Sequence, residues 1–401
     1  MSWSPSRSVD TSSSSSTTEK PVSSSSSSSG ELSEKLSGEE VRVDGTPDFM
    51  AVFNVVMTAG GEGMLALTRA TASVGYLPAL ILLIVCGAIG WLMVYLLYRC
   101  RVMAQHMGRE FVLAYEDLGE AAFGKVGRTV VAVCLHISLI GTCCIVILLL
   151  GQNSYHIYDG ISVTWWVIIW AVILLPLNWL KTMREIGYVS NTFGVASVLM
   201  SVIGLSVGGF VQAAKNYGNV DYELGVTQPL TIFAAYTTFS FAYAVTCGST
   251  TVVHDMRTPT HAPKVFFYAF ATIIIQLGVV TAAAYLGWGQ SLLCYGNVLD
   301  AMQKNVWGYI SFVSILGLCA THYALLLHPS CRAIEVLAGL EDGSPRAVSY
   351  EAKAEGNFGS KRATMRSLAL IFLMLVALVG AVWTLYQTIN PAPAPEECSL
   401  L

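Results

Sequence analysis

Residues 265–288 read VFFYAFATIIIQLGVVTAAAYLGW and contain no Asp, Glu, Lys or Arg. An α-helix rises about 1.5 Å per residue, so this stretch would be about 36 Å long and would cross the roughly 30 Å hydrocarbon core of a bilayer. Buried helices of soluble proteins seldom run this far without an ionic residue. The stretch therefore predicts a transmembrane helix.

Eight further stretches have a similar length and polarity. Charged residues make up only 12% of the chain, against about 25% in soluble globular proteins, and hydrophobic residues make up 54%. We therefore predict an all-α polytopic membrane protein embedded in a lipid bilayer. The additional spans are expected at 50–68, 77–98, 129–150, 162–180, 190–211, 230–253, 306–328 and 367–389.

The chain divides into three predicted parts. Residues 1–45 are rich in serine, including an unbroken run from Ser23 to Ser29, and contain too little apolar surface to offset the entropy cost of ordering. We expect them to form a disordered cytoplasmic tail. Residues 46–390 form the predicted transmembrane domain, and residues 391–401 form a short tail rich in Pro and Ala.

The basic residues predict the orientation. Lys and Arg favour cytoplasmic loops, and with the N-terminus inside all 22 of them lie on the cytoplasmic side except Arg69, Lys215 and Lys304. We therefore expect a multi-pass protein with a cytoplasmic N-terminus, in the plasma membrane or in a vacuolar or lysosomal membrane. The net charge of −4 and the lack of a basic stripe with interleaved aromatics argue against nucleic acid as a partner.

The first predicted span is interrupted by Gly60-Gly61-Glu62-Gly63. Each glycine weakens a helix by about 1 kcal/mol relative to alanine. Backbone groups freed in a membrane need a polar cavity or a protein partner. The interruption is consistent with two half-helices meeting at a binding site, with amide hydrogens directed at an anion. Close packing of helices through small residues is the alternative role for these glycines.

Glu62 is the only Asp or Glu inside the nine predicted spans. An acid at membrane depth is costly, and desolvation raises the pKa of a carboxyl group. We therefore expect Glu62 to carry a coupling proton or to receive a substrate ammonium group. A structural ion pair with Arg69 is the alternative role. The chain contains no CxxC pair and no Cys/His ligand spacing, so neither a metal nor another cofactor is predicted.

Several short motifs resemble those of the amino acid/auxin permease family. The resemblance begins in the first span, continues before the third and between the fourth and fifth, and includes spans six and eight. The matching stretches lie in order over residues 50–335. They are Phe53-Asn54, Gly61-Glu62-Gly63-Met64-Leu65-Ala66-Leu67, Gly75-Tyr76, Tyr115-Glu116-Asp117-Leu118-Gly119-Glu120-Ala121-Ala122-Phe123-Gly124, Leu175-Pro176-Leu177-Asn178-Trp179-Leu180-Lys181, Ile186-Gly187-Tyr188-Val189-Ser190, Phe239-Ser240-Phe241-Ala242-Tyr243 and Leu327-His328-Pro329.

The resemblance implies a secondary transporter with a five-plus-five inverted-repeat fold. In that fold spans one and six are both broken around the substrate, which for this family is an amino acid or a related small solute moved with protons or sodium. The residues implied to bind substrate are Gly60, Gly61, Gly63, Phe241 and Tyr243. Because the family usually has eleven spans, the resemblance also implies a fold truncated to about nine, with any partner helices unknown.

Four further residues are weaker candidates for the site. Asn54 belongs to the opening motif, and Arg69 places a cation near the cavity mouth. Thr321 could offer a hydroxyl ligand to sodium. However, Met57 stands where sodium-coupled relatives have asparagine, so we expect H+ rather than Na+ as the coupling ion. His322 is either a proton relay or a packing residue.

An enzyme is not predicted, because no paired acid, Ser/His pair or metal cluster is evident at membrane depth. A solute sensor or regulatory membrane subunit without transport activity is the alternative function.

Overall fold

The computed structural model describes residues 45–60, 63–106, 115–174, 193–225, 229–243 and 245–337. This part of the chain is helical, with one isolated β-bridge between Thr46 and Met256. Its α-helices are α1 (Asp48–Gly60), α2 (Gly63–Val74), α3 (Tyr76–His106), α4 (Tyr115–Ile157), α5 (Val163–Leu174), α6 (Val195–Lys215), α7 (Pro229–Ala242), α8 (Thr246–Asp255), α9 (Ala262–Trp288), α10 (Val298–Ala301) and α11 (Val306–Leu337).

The first eight predicted spans each coincide with one or two of these helices, and the ninth, 367–389, lies outside the described residues. Among the described helices, five are long and apolar enough to cross a membrane, or six if α1 and α2 count as one bent span. Helix α5 is apolar but shorter. The prediction of an all-helical membrane protein is confirmed, while the number nine and the inverted repeat stay predictions.

Helix α4 begins well before the predicted third span, because it consists of two helical segments joined at a kink and the shorter, first segment precedes the span. The kink lies at Phe123 and Gly124, and Gly124 has a φ of 66°, a conformation that residues with a Cβ rarely adopt. Arg128, just after the kink, donates to Glu120 at 2.8 Å and lies 3.6 Å from Asp117. These contacts fold the first segment back against the start of the longer one.

Helix α9, the charge-free stretch, lies at the centre of the bundle. It packs against α1, α2, α3 and α6. Small residues allow its close approach to α6, because a Cβ on Gly209 would stand 2.5 Å from the Ala283 carbonyl oxygen and one on Gly287 would stand 2.7 Å from the Gly209 carbonyl oxygen. Large apolar side chains on its other face, such as Tyr268 and Ile275, are exposed, as expected for a surface in contact with lipid.

Candidate functional site

The first predicted span is broken in the structure. Helix α1 ends at Gly60 and α2 begins at Gly63, and the axes of the two helices are inclined by 52°. A straight, continuous helix would have left no site here. The predicted site residues Gly61 and Glu62 lie outside the described residues.

The sixth predicted span is broken as well. Helix α7 ends at Ala242 and α8 begins at Thr246. The Tyr243 amide donates to the Ser240 carbonyl at 3.2 Å, and the Val245 amide donates to the Tyr243 carbonyl at 2.7 Å. These short-range hydrogen bonds replace the regular helical ladder between the two helices.

The two breaks lie side by side, because α2 packs against α7. A Cβ placed on Gly63 would stand 2.6 Å from the Cβ of Ala242 and 2.8 Å from its Cα. Only a glycine fits at position 63 unless one of the two backbones moves. The start of α2 and the end of α7 therefore form one junction in the interior of the bundle.

The two aromatic candidates of the sixth span have different surroundings. Tyr243 is 2% exposed, its hydroxyl donates to the Leu83 carbonyl on α3 at 2.9 Å, and its ring stacks on Phe270 of α9. Phe241 is 41% exposed. Tyr243 therefore connects the break to α3 and α9, whereas Phe241 lies at the surface of the bundle.

Asn54 and Arg69, the two polar candidates around the first break, lie on opposite sides of it. On α1, the Oδ1 atom of Asn54 is buried and has no hydrogen-bond partner among the described residues. A buried acceptor of this kind has a large desolvation cost, which a water or a bound donor would relieve. On α2, Arg69 is exposed.

Met57 fills the point where α1, the start of α6 and α11 meet. A Cβ on Gly194 would overlap the Met57 side chain and would lie 3.2 Å from the Thr321 hydroxyl oxygen. That hydroxyl donates to the carbonyl oxygens of Leu318 and Gly317 at 2.9 and 3.0 Å. The neighbouring candidate, His322, is 4% exposed. The sulfur and the terminal methyl group of Met57 therefore lie close to the same point as the Thr321 hydroxyl.

Sequence reasoning missed a histidine–serine pair between α4 and α11. The Nδ1 atom of His136 lies 3.2 Å from the Ser330 hydroxyl oxygen. Ser330 is 3% exposed. His136 falls within a predicted span, so its position as a polar residue in an apolar run could have indicated a buried polar contact. Its partner could not be assigned, because α11 extends beyond the predicted end of span eight at residue 328.

A buried arginine was also missed. Arg101 is 4% exposed, and its guanidinium donates to the Thr250 carbonyl of α8 at 2.8 Å. From the sequence, Arg101 was used only as one of the loop charges that predict the orientation of the chain in the membrane. The structure instead places it between α3 and the second half of the broken sixth span.

Comparisons with known proteins agree with this architecture. The sequence model of the family described as "Transmembrane amino acid transporter protein" matches residues 46–381. A solved structure of a Na+-coupled sialic acid symporter, in a substrate-bound outward-open state, superposes with a TM-score of 0.58 at 13% identity, covering 86% of this chain and 76% of that chain. At this identity the likeness concerns the fold alone.

Curated relatives include three amino acid transporters. Amino acid transporter AVT1J of Arabidopsis thaliana is 25% identical over 69% of this chain and 65% of its own length. Vacuolar amino acid transporter 6 of Saccharomyces cerevisiae is 22% identical over 71% and 64%. The vesicular inhibitory amino acid transporter of Mus musculus is 22% identical over 82% and 62%.

The match spans less than two thirds of the length of each of these three relatives. The family match, in contrast, extends over most of this chain, including both broken spans. The chain is therefore a member of the transmembrane amino acid transporter protein family.

Proposed function

We propose that this protein moves amino acids across a membrane, with the substrate bound at the junction of the two broken spans. The observation that carries the proposal is the contact between Gly63 and Ala242, which places the breaks of two different helices next to each other. Backbone polar groups freed within a membrane require a partner. A zwitterionic solute would supply both a donor and an acceptor there.

The helix ends around the junction suit the two charged groups of an amino acid. The first amide groups of a helix lack partners within the helix and carry partial positive charge, so the α2 end at Gly63 suits a carboxylate. The last carbonyl groups of α1 and α7, near Gly60 and Ala242, carry partial negative charge and suit an ammonium group. Glu62 lies next to this point in the sequence and would add a titratable carboxyl.

Protons are the proposed coupling ion. A sodium ion prefers hard oxygen ligands, by the same logic that governs other hard cations. The Met57 side chain of α1 and the Thr321 hydroxyl both lie close to Gly194, and a thioether is a soft group that does not suit a hard cation such as sodium. Protonation of Glu62 needs no such ligand shell.

The proposed orientation has a cytoplasmic N-terminus in the membrane of an acidic organelle. The distribution of basic residues favours it, and the turn after α9 would then lie on the non-cytoplasmic side. Cys294 in that turn is disulfide-bonded, which is typical of a non-cytosolic compartment. The names of two relatives, vacuolar and vesicular, favour an organelle over the plasma membrane.

Uptake into vesicles tests the proposal. The purified full chain would be reconstituted, and a panel of labelled amino acids would be offered with a pH gradient, with a sodium gradient and with neither. We expect accumulation driven by the pH gradient and unaffected by sodium, and we expect Glu62→Gln to abolish the dependence on pH. Sodium-driven accumulation would overturn proton coupling. Saturable binding without accumulation under any gradient would favour the solute-sensor alternative over transport.

A further inference from the structure

Two imidazole–carboxylate pairs lie at opposite ends of the helical bundle. In the first, His156 Nε2 lies 2.9 Å from Asp300 Oδ1. In the second, His261 Nδ1 lies 2.7 Å from Asp48 Oδ2. His156 is at the end of α4, whereas His261 directly precedes α9. The proposed orientation places the first pair on the non-cytoplasmic side and the second on the cytoplasmic side.

The His156–Asp300 pair holds a connecting segment over α2. Residues 289–305 join α9 to α11, and both the 3₁₀ turn Gly289–Cys294 and α10 pack against α2. Asp300 completes the capping box at the start of α10, since its second oxygen accepts from the backbone amide of Asn297 at 3.0 Å. The His156 ring stacks on Phe312 of α11, with ring centres 5.3 Å apart. The pair thus connects the segment 289–305, which packs against α2, to the end of α4.

The His261–Asp48 pair holds the start of the other half-helix. Asp48 is the first residue of α1. Just before it, the Thr46 amide donates to the Asp255 carbonyl at 2.7 Å, and the Arg257 amide donates to the Thr46 carbonyl at 2.8 Å. The start of α1 is therefore fastened to the connection between α8 and α9 by the His261–Asp48 contact and two backbone hydrogen bonds.

Within the described ranges, few other charged groups lie on the elements around each pair. Lys304 and Asp159 form a second contact at 3.3 Å beside the first pair, and α2 carries Arg69. Around the second pair the charged or titratable residues on the packed elements are His254, Asp255, Arg257 and Lys264. Each pair therefore combines one imidazole with one carboxylate in a partly solvated setting.

We infer that the two pairs are opposed pH-responsive latches, one for each half of the broken first span. An imidazole changes its charge between about pH 5 and 8, and a hydrogen bond between two ionised groups is stronger than one with a neutral donor. Acidification on one side therefore strengthens the latch on that side. In an acidic organelle the non-cytoplasmic latch would be the stronger one. The protein would then favour opening towards the cytoplasm. Only this last consequence rests on the proposed function.

Hydrogen exchange tests the latches without a transport assay. The full chain in lipid nanodiscs would be labelled at about pH 5.5 and about pH 7.5, with rates corrected for the intrinsic pH dependence of amide exchange. In the wild-type protein we expect opening of residues 289–305 and of residues 45–58 to increase about threefold at the higher pH, the size expected for partly exposed ion pairs. In His156→Gln the first segment should lose this pH dependence and the second should keep it.

The reciprocal variant is the matched control. His261→Gln should remove the pH dependence of residues 45–58 and leave that of residues 289–305 intact. The inference is overturned if either variant leaves its own segment as pH-dependent as in the wild type. It is equally overturned if each variant alters both segments alike, because that result indicates a general loss of stability. Exchange requires no substrate, so these outcomes are independent of whether the protein transports amino acids.

Discussion

Gly63 and Ala242 approach so closely that a Cβ on the glycine would stand 2.8 Å from the alanine Cα. The obstacle is backbone rather than the far end of a flexible side chain, so no rotamer change can relieve the overlap. Any side chain at position 63 must displace α2 from α7. The geometry of the proposed substrate site therefore includes a close backbone contact between two broken spans.

We expect Gly63→Ala to lower amino acid uptake about tenfold, because the overlap costs roughly 1–3 kcal/mol and separates the two helix ends. Initial uptake rates at equal amounts of reconstituted protein would measure the effect. Gly141→Ala is the matched control, since a Cβ on Gly141 meets nothing within 4 Å. Wild-type uptake by Gly63→Ala, or an equal loss in Gly141→Ala, would contradict the prediction.

Tyr243→Phe should affect stability more than substrate affinity. The Tyr243 hydroxyl is buried and donates to the Leu83 carbonyl, so its loss should lower the free energy of unfolding by about 0.5–1.5 kcal/mol. Thermal unfolding in detergent would detect the change, and Tyr236→Phe, at a 42% exposed position, should show none. A raised KM with unchanged stability would show instead that this hydroxyl contacts the substrate.

The helical architecture was predictable because an apolar run of membrane-spanning length is rarely compatible with any structure except a transmembrane helix. The stretch 265–288 alone predicted α9, and Gly60 to Gly63 predicted the break between α1 and α2. The break after Ala242 followed only from the family resemblance, since the local sequence Ala242-Tyr243-Ala244-Val245 contains neither Gly nor Pro. Tertiary packing, which composition does not report, decides where that helix stops.

The partners of individual polar residues could not be predicted from spacing. Arg101 was predicted to be a loop charge, yet α3 extends to His106 and carries it into the bundle beside α8. His136 and Ser330 are far apart in the chain and meet only because α4 packs on α11. Such pairs depend on how two helices are rotated about their axes, and a single sequence does not specify that rotation.

Met57 and Gly194 should show strong energetic coupling. Gly194→Ala should destabilise the protein by roughly 1–3 kcal/mol, because the new methyl group overlaps the Met57 side chain. In Met57→Ala the space is vacated, so adding Gly194→Ala to that variant should cost much less. Thermal unfolding of the two single variants and the double variant gives the coupling energy. Additive effects would mean that the two residues do not share this space.

Arg101 should be important for the attachment of α8 to α3. Arg101 is 4% exposed and its guanidinium donates to the Thr250 carbonyl, so Arg101→Met should remove a charged hydrogen bond worth about 1.5–3 kcal/mol. Arg101→Lys should restore part of this, because an ammonium group can also donate but lacks the fixed geometry of the guanidinium. Arg99→Met is the control, since Arg99 is exposed and its guanidinium donates to the Tyr95 hydroxyl within its own helix at 3.2 Å. Hydrogen exchange of residues 246–255 measures the attachment directly. Equal exchange in Arg101→Met and Arg99→Met would show that α8 is held by its apolar contacts alone.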